Sequence, residues 1–535
     1  MTQAAEAGHR SGGACVLGID LGTSSVKVVI VDLEGALVVQ TGAAYPVSSP
    51  RPGWSETDPQ AWATATTTAV RTAVAQVDAP ILAIGLSGQM HGVVAAADTG
   101  LPLRAAMLWS DARATDQLAS YRELPAQVRA RLANPLFPGM AGPMLAWLKS
   151  HEPDVYGATR WALSPKDWLR SQLTGEFATE PSDASATLMY DLVNDGWDLE
   201  VLDALGLDPA KLPPVLPGSA HPAGHLTDAA GRLLGLPAGI PVAAGAADTA
   251  AAALGSGLVD PATAQLTIGT GAQVVRPVAS LPEDLFPDPV THLYRSAAPA
   301  GWYRMAAGLN GGSTLAWVRE ILGASWQELY DCAALAPGED APLFLPHLHG
   351  ERTPYLDPRM RGAWTGLAPQ HRREDLLYSA LEGVAFAIRD AADCLLPSGA
   401  DAPLLRLAGG GTTSLAWRQM LADILERPLT PIAAPGASAL GAALLARQVA
   451  GLPDPVPGAD GSPSTTSPRP ERSRFHRRRY ELYRERVAAL RLAAPTSAGP
   501  SAQSISGTGR QEQKCDAPDG PRSVGPASPG PVRGR

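Results

Sequence analysis

Asp20 and Asp248 are the two residues of this chain whose surroundings could best handle phosphate and protons. Asp20 lies in Val16 to Asp32, which reads as an apolar strand, a tight polar bend and a second β-branched strand. Gly22, Thr23 and Ser24 make the bend. Successive backbone N–H groups in such a bend can form a nest for an anion. A carboxylate beside the nest suits a divalent cation bridging to phosphate oxygens. The same residues also make an ordinary edge hairpin with hydroxyls in its turn, and on the hairpin alone that plain reading is favoured. Asp248 follows the apolar run Pro241 to Ala247 and precedes an Ala-rich helix. An ionised carboxylate there is costly to bury without a partner. It either caps the helix or faces a cleft and handles protons. For a lone aspartate the cap is the simpler reading.

Three further stretches carry ligand-type side chains at strand ends, where open α/β sheets place their sites. Ile81 to Leu86 runs into Ser87-Gly88-Gln89-Met90-His91-Gly92. A lone histidine is usually structural, but this one sits in a glycine-flanked Gln-Met-His run suited to a sugar or alcohol. Met107 to Arg113 offers Trp109 as an apolar plate and Asp111 and Arg113 as hydrogen-bonding groups. A packed tryptophan beside a surface ion pair fits these residues equally well. Leu404 to Ala408 enters Gly409-Gly410-Gly411, with Ser414 before a helix, an arrangement open to a nucleotide phosphate. No Walker A sequence occurs.

The elements that must position these residues follow from the whole chain. At 535 residues, 45% apolar, it is too long for one core and predicts two or three domains. A net charge of -9 gives no electrostatic reason for nucleic acid or membrane binding. Four scattered cysteines without a C-x-x-C pair give no disulfide framework, which points to the cytoplasm. No run of 18 apolar residues calls for a membrane span. Ala264 to Val275, with Gly269, Thr270 and Gly271 at its bend, echoes the first hairpin and suggests two related halves around a cleft. Asp58-Pro59 starts a helix running to about Val77, and Ser164-Pro165 reads as a capped start to another. Residues 116 to 200 read as mostly helical. Pro435 to Ala443 opens a small-residue helix suited to close backbone packing. Arg472 to Leu492 reads as a basic helix with a solvated charged face, laying Phe475, Tyr480 and Tyr483 on the body. Residues 1–13 read as a flexible leader and 493–535 as a disordered tail.

Taken together, these pieces resemble the FGGY family of carbohydrate kinases from Val16 to Leu492. The likeness rests on Gly18-Ile19-Asp20-Leu21-Gly22-Thr23-Ser24-Ser25, Ser87 to Gly92, and Leu108-Trp109-Ser110-Asp111-Ala112-Arg113. It extends through Lys166-Asp167-Trp168-Leu169 with Thr174 to Thr179, Gly350 to Pro354, and Gly409-Gly410-Gly411 with Trp417 to Met420. The Gln-Met-His-Gly run is most like members acting on D-xylulose. The resemblance implies an α/β fold of two ribonuclease-H-like domains of the actin/hexokinase ATPase type, residues 14–257 and 258–492, flanking a cleft. It implies ATP-dependent phosphorylation of D-xylulose to D-xylulose 5-phosphate, with ATP and Mg2+ as cofactors and no nucleic acid or membrane partner. A homodimer stays open. Asp248 would be the general base. Gln89, Met90, His91, Trp109, Asp111 and Asp248 would line the sugar site. Asp20 would hold the metal. Gly22, Thr23, Ser24, Thr270, Gly271, Gly312, Gly410, Gly411 and Ser414 would face the nucleotide. The chain departs from the family pattern at Met144, where a lysine is usual, at Ala246-Ala247-Asp248-Thr249 in place of Gly-Gly-Asp-Asn, and at His349. Alternatives are a kinase for another pentulose or polyol, such as ribulose or a pentitol, and an actin- or chaperone-type ATPase without a sugar acceptor.

Overall fold

The computed structural model describes residues 13–283, 285–298, 301–335, 337–396, 403–409, 414–453 and 464–493. Two sheets organise them. The first, seven-stranded sheet uses β1 (Cys15–Leu21), β2 (Ser25–Asp32), β3 (Leu37–Ala44), β4 (Ile81–Gly88), β5 (Pro222–His225), β6 (Pro241–Ala243) and β7 (Ala246–Ala247). The second, six-stranded sheet uses β8 (Thr263–Ile268), β9 (Ala272–Val278), β10 (His292–Arg295), β11 (Trp302–Gly308), β12 (Leu404–Ala408) and β13 (Leu429–Pro431).

Their topologies correspond in five strands. In the first sheet, β1 pairs antiparallel with β2 and β2 with β3, while β4 joins β1 and β6 joins β4 in parallel. In the second, β8 pairs antiparallel with β9 and β9 with β11, while β12 joins β8 and β13 joins β12 in parallel. The hairpin echo in the sequence is therefore an echo of whole sheets. Each hairpin is followed by a parallel strand laid beside its first arm, and the parallel strand's C-terminal end opens beside the hairpin's bend.

The helices that matter to the site are α1 (Pro59–Val74), α2 (Pro165–Thr174), α3 (Pro181–Ala184), α4 (Asp248–Gly255), α5 (Gly312–Ile321), α6 (Arg373–Asp393), α7 (Leu415–Leu425), α8 (Ala437–Val449) and α9 (Pro470–Ala493). Asp58 caps α1 by accepting from Gln60 N, and the helix stops at Val74, one turn earlier than expected. Ser164 is not a capping side chain. Its hydroxyl donates to Asp167 Oδ2 (2.7 Å) instead. Residues 116–200 hold several short helices separated by the strand pieces Trp161–Leu163, Tyr190–Asp191 and Gly196–Trp197.

Helix α8 comes late in the chain yet packs on β1, β4 and α4, so the chain crosses back over the expected 257/258 division. Its small residues make this possible. A Cβ at Gly85 on β4 would sit 1.8 Å from Ala442 O, and one at Gly441 would sit 1.9 Å from Ala251 O. Glycine is required at both places because backbone meets backbone. Tyr480 and Tyr483 anchor α9 in the core of the second sheet, while Phe475 is only partly covered. Its charged face is not wholly solvated: Arg479 is buried and donates to both carboxylate oxygens of Glu382. Among the described residues no helix is long and apolar enough to cross a membrane. Cys15, Cys332 and Cys394 are free thiols. The expected leader and tail lie outside the described residues, apart from their boundary residues.

Candidate active site

Strand β4 brings the two aspartates together. Asp20 is the cross-strand partner of Ser87 on one side, and Ala246 and Ala247 are partners of Ser87 and Gly88 on the other. One strand therefore separates Asp20 from the residue preceding Asp248, a lateral span of about 10 Å at two strand spacings. Asp20 is 6% exposed and accepts a hydrogen bond from Ser87 Oγ at 3.1 Å. Burial pushes its carboxyl above the ordinary range, against the pull of the Ser87 bond and of Lys27.

The bend beside Asp20 is held from behind through its carbonyls. Gly22 O accepts from the Tyr45 hydroxyl and from Gln89 Nε2, and Ser24 O accepts from Tyr45 N. Thr23 Oγ1 accepts from Trp109 Nε1 at 3.0 Å. The N–H groups of Thr23 and Ser24 make no hydrogen bond among the described residues. Two free amides beside a carboxylate are what a metal-bound phosphate requires.

Asp248 is the first residue of α4, whose N-cap is Ala247, so the aspartate is not the cap. Its Oδ1 accepts from Thr249 Oγ1 at 3.1 Å. Burial first, then the nearby Asp20 charge, lift its carboxyl to about 7, with the Thr249 bonds opposing. A carboxylate in that range is matched to proton transfer near neutral pH. It borders a cavity of about 220 Å³ with Thr249, Gln265, Thr267, Gln273 and Ser438, room for about seven waters or one small polyol. The polar wall opposite Asp248 comes from β8 and β9, whose Thr267 and Gln273 are directly paired. Sequence reasoning missed these residues. The signal was there, in polar side chains interrupting otherwise apolar strands.

Met90 and His91 lie beside this site. Met90 shares an apolar cluster with Ala246, Ala247, Tyr294 and Tyr303. His91 adopts a left-handed φ of 72°, rare for a non-glycine residue and often kept for function. Its Nδ1 lies 2.8 Å from Ala186 O, and a carbonyl only accepts, so Nδ1 carries the proton and Nε2 is an acceptor. Burial lowers its pKa to about 4, with the Arg352 charge also pressing down, so the ring is neutral at pH 7. Tyr294 of the second sheet stands beside it, with ring centroids 5.9 Å apart.

The other expected sugar residues have different neighbours. Gln89 and Trp109 contact the β1–β2 bend, as above. Asp111 is buried, not at the surface, and is saturated by Arg113 and by Ser55 N at 2.7 Å. Among the residues expected to face the nucleotide, Gly312 N donates to Gly269 O, and next to it Ser313 N donates to Thr270 O, seating the second bend against the start of α5. A Cβ on Gly271 would lie 2.4 Å from Gly308 O. Ser414 Oγ accepts from Trp417 N and so caps α7. Gly410 and Gly411 lie outside the described residues. Met144 is fully buried in an apolar cluster, where the methionine is at home.

Comparison with known proteins agrees with this architecture. Residues 15–255 match the N-terminal domain of the FGGY family of carbohydrate kinases, and residues 264–448 match its C-terminal domain. A xylulose kinase of Escherichia coli (strain K12) is 36% identical over 445 residues, 82% of this chain and 90% of that protein. A Brucella ovis structure described as a xyloylose kinase superposes with a TM-score of 0.83 at 34% identity, covering 89% of this chain and 99% of that one. A Lactobacillus acidophilus gluconate kinase structure gives the same TM-score, 0.83, at 26% identity, covering 90% of this chain and 99% of that one. The matched domains fill most of the chain, the paired sheets are those of the actin/hexokinase ATPase fold, and the chain belongs to the FGGY family of carbohydrate kinases.

Proposed function

We propose that this kinase transfers the γ-phosphoryl group of ATP to O5 of D-xylulose, giving D-xylulose 5-phosphate and ADP. The observation that carries this reading is the placement of Asp248, with its raised pKa, between a sugar-sized polar cavity and the Asp20 hairpin. Asp248 takes the proton of the C5 hydroxyl as that oxygen bonds to the γ-phosphorus. The bond from the γ-phosphorus to the bridging oxygen breaks, and its electron pair leaves with ADP. The free Thr23 and Ser24 amides receive phosphate oxygens.

The residues fit Mg2+ as well. Asp20 Oδ1 accepts from Ser87 while Oδ2 accepts no hydrogen bond among the described residues, and this ion is commonly held by one or two carboxylates plus phosphates. When bound, it neutralises charge on the phosphates. Neutral His91 accepts a sugar hydroxyl at Nε2, and Met90 covers a C–H face. On the nucleotide side Thr270, Gly271 and Gly312 frame the bend against α5. ATP as cosubstrate and three free thiols support a cytoplasmic place.

The xylulose kinases among the relatives support D-xylulose as acceptor, while the gluconate kinase shares the scaffold, so the acceptor must be tested directly. The test is an ATP-coupled assay across D-xylulose, D- and L-ribulose, pentitols, gluconate and glycerol. D-xylulose gives the highest kcat/KM, and ATP turnover without acceptor is negligible. A tenfold preference for another acceptor would refute the substrate assignment. Acceptor-independent ATP turnover would refute the kinase reading.

A further inference from the structure

Behind the base lies a set of charged side chains that the reaction itself does not use. Lys166, Asp167 and Arg170 of α2 and Glu180 and Asp183 at α3 are each 2% exposed or less. Lys166 Nζ lies 2.7 Å from Asp167 Oδ1, 3.2 Å from Asp183 Oδ2 and 3.7 Å from Glu180 Oε1. Arg170 NH1 donates to the same Asp167 Oδ1 at 2.5 Å. Two cations face three carboxyls, so one proton makes the set neutral. Asp183 is the carboxyl that burial lifts, to about 8, helped by the charges of Asp167 and Glu180 and opposed by Lys166. The set is fully enclosed by the protein, so its ion pairs act at low local dielectric.

Its hydrogen bonds converge on the few residues that lead into Asp248. Lys166 Nζ (3.2 Å) and Arg170 NH1 (2.7 Å) both donate to Ala244 O. Gly245 N donates to Ser219 O, and Ser219 Oγ donates to Glu180 Oε2 at 2.7 Å. Ser182 Oγ donates to Glu180 Oε1 at 2.7 Å and accepts from Ala247 N at 2.9 Å. The bend itself needs Gly245, at φ 84° and with a Cβ there falling 2.6 Å from Leu86 O. Three backbone groups of Ala244 to Ala247 are thus tied to one buried cluster, and the last of them is the amide before the base.

We propose that Ser182, braced by Glu180, is a positioning residue: it fixes the Ala247 amide and thereby the direction in which Asp248 enters the cleft. The hydroxyl is suited to this because its donated bond runs to a carboxylate, which is shorter and stronger than a neutral pair. Misplacing a catalytic group by about 1 Å can cost about 100-fold in rate. The inference rests on the reading of Asp248 as the base.

The test compares Ser182→Ala, Ser182→Thr, Ser185→Ala and Asp248→Asn with the parent, using whichever acceptor the parent phosphorylates fastest. Ser185 is a fair control because its hydroxyl, on the same turn, bonds Ser182 O and Arg295 N and does not touch Ala247. Ser182→Ala lowers kcat about 10- to 100-fold, leaves KM for ATP within about twofold, and moves the acid limb of the pH–rate profile to lower pH as Asp248 relaxes toward water. Ser182→Thr restores most of kcat, and Ser185→Ala stays near the parent. Parent-like kcat in Ser182→Ala, with Asp248→Asn inactive, overturns the inference alone. So does an equal loss in Ser185→Ala with an unmoved acid limb, the mark of general loosening. Turnover retained in Asp248→Asn instead removes the base assignment itself.

Discussion

Replacing the proposed base, Asp248, should make this protein slower and more stable at once. Asp248→Asn keeps shape and one acceptor oxygen but cannot take a proton. General-base catalysis contributes about 10²- to 10⁴-fold, so kcat falls by at least about 100-fold. The stability change has its own arithmetic. In the folded chain burial and the Asp20 charge raise the Asp248 carboxyl from 3.8 to about 7. The folded state therefore holds this proton more tightly than the unfolded state. Stability is favoured as pH falls from about 7 toward 3.8, and is penalised as pH rises through about 7. At 1.36 kcal/mol per pH unit, the penalty above pH 7 is at most about 4 kcal/mol. The side chain is partly open to cleft water, which brings the expectation to about 2 kcal/mol. For a chain of this length that is a rise in Tm of about 2 °C. Asp248→Asn should show it in full at pH 8 and show a smaller gain at pH 5, where the folded carboxyl is neutral but the unfolded one is still ionised, so that the gain vanishes only below about 3.8. The assay is thermal unfolding of parent and variant at both pH values, alongside kcat. A variant that melts below the parent at pH 8, or gains equally at both pH values, would refute the reasoning.

Three further outcomes follow from the same structure. The kcat/KM profile of the parent should fall about tenfold per pH unit below about 7 as Asp248 takes up its proton, and a profile flat to pH 5 would contradict this. Gly85→Ala should cost about 3 kcal/mol and soluble yield, because its Cβ would meet Ala442 O; an unchanged Tm would mean α8 does not press on β4. Arg479→Ala leaves buried Glu382 with His476 as its remaining partner, at a cost of about 3 kcal/mol, and should make α9 protease-sensitive, whereas a parent-like digestion pattern would show the helix anchored elsewhere.

What could be read from the sequence was local and periodic. The two hairpins, the strand end at Ser87 to His91 and the small-residue helix at Ala437–Val449 each follow from side-chain size and alternation within a short window. The correspondence of the two sheets was visible only as Gly-Thr bends, yet those bends are where both topologies turn. What stayed hidden depended on partners far away in the chain. Ser164 looked like a cap, but Asp167 takes its hydroxyl. Asp248 also looked like a cap, but Ala247 occupies that position, and burial, with the Asp20 charge behind it, raises its pKa. Asp111 and Arg113 fitted a hydrogen-bonding site and a surface ion pair equally well, but the Trp54 and Trp147 rings stack on Arg113 and the pair is buried. The left-handed backbone of His91 and the Lys166 cluster left no mark on propensity.

The most direct measurement is a ternary-complex structure with D-xylulose, Mg2+ and a non-hydrolysable ATP analogue. The C5 oxygen should lie within about 2.6–3.2 Å of the Asp248 carboxylate, with Asp20 turned to the metal. A sugar seated away from Asp248, or Asp20 remote from the metal, would contradict it.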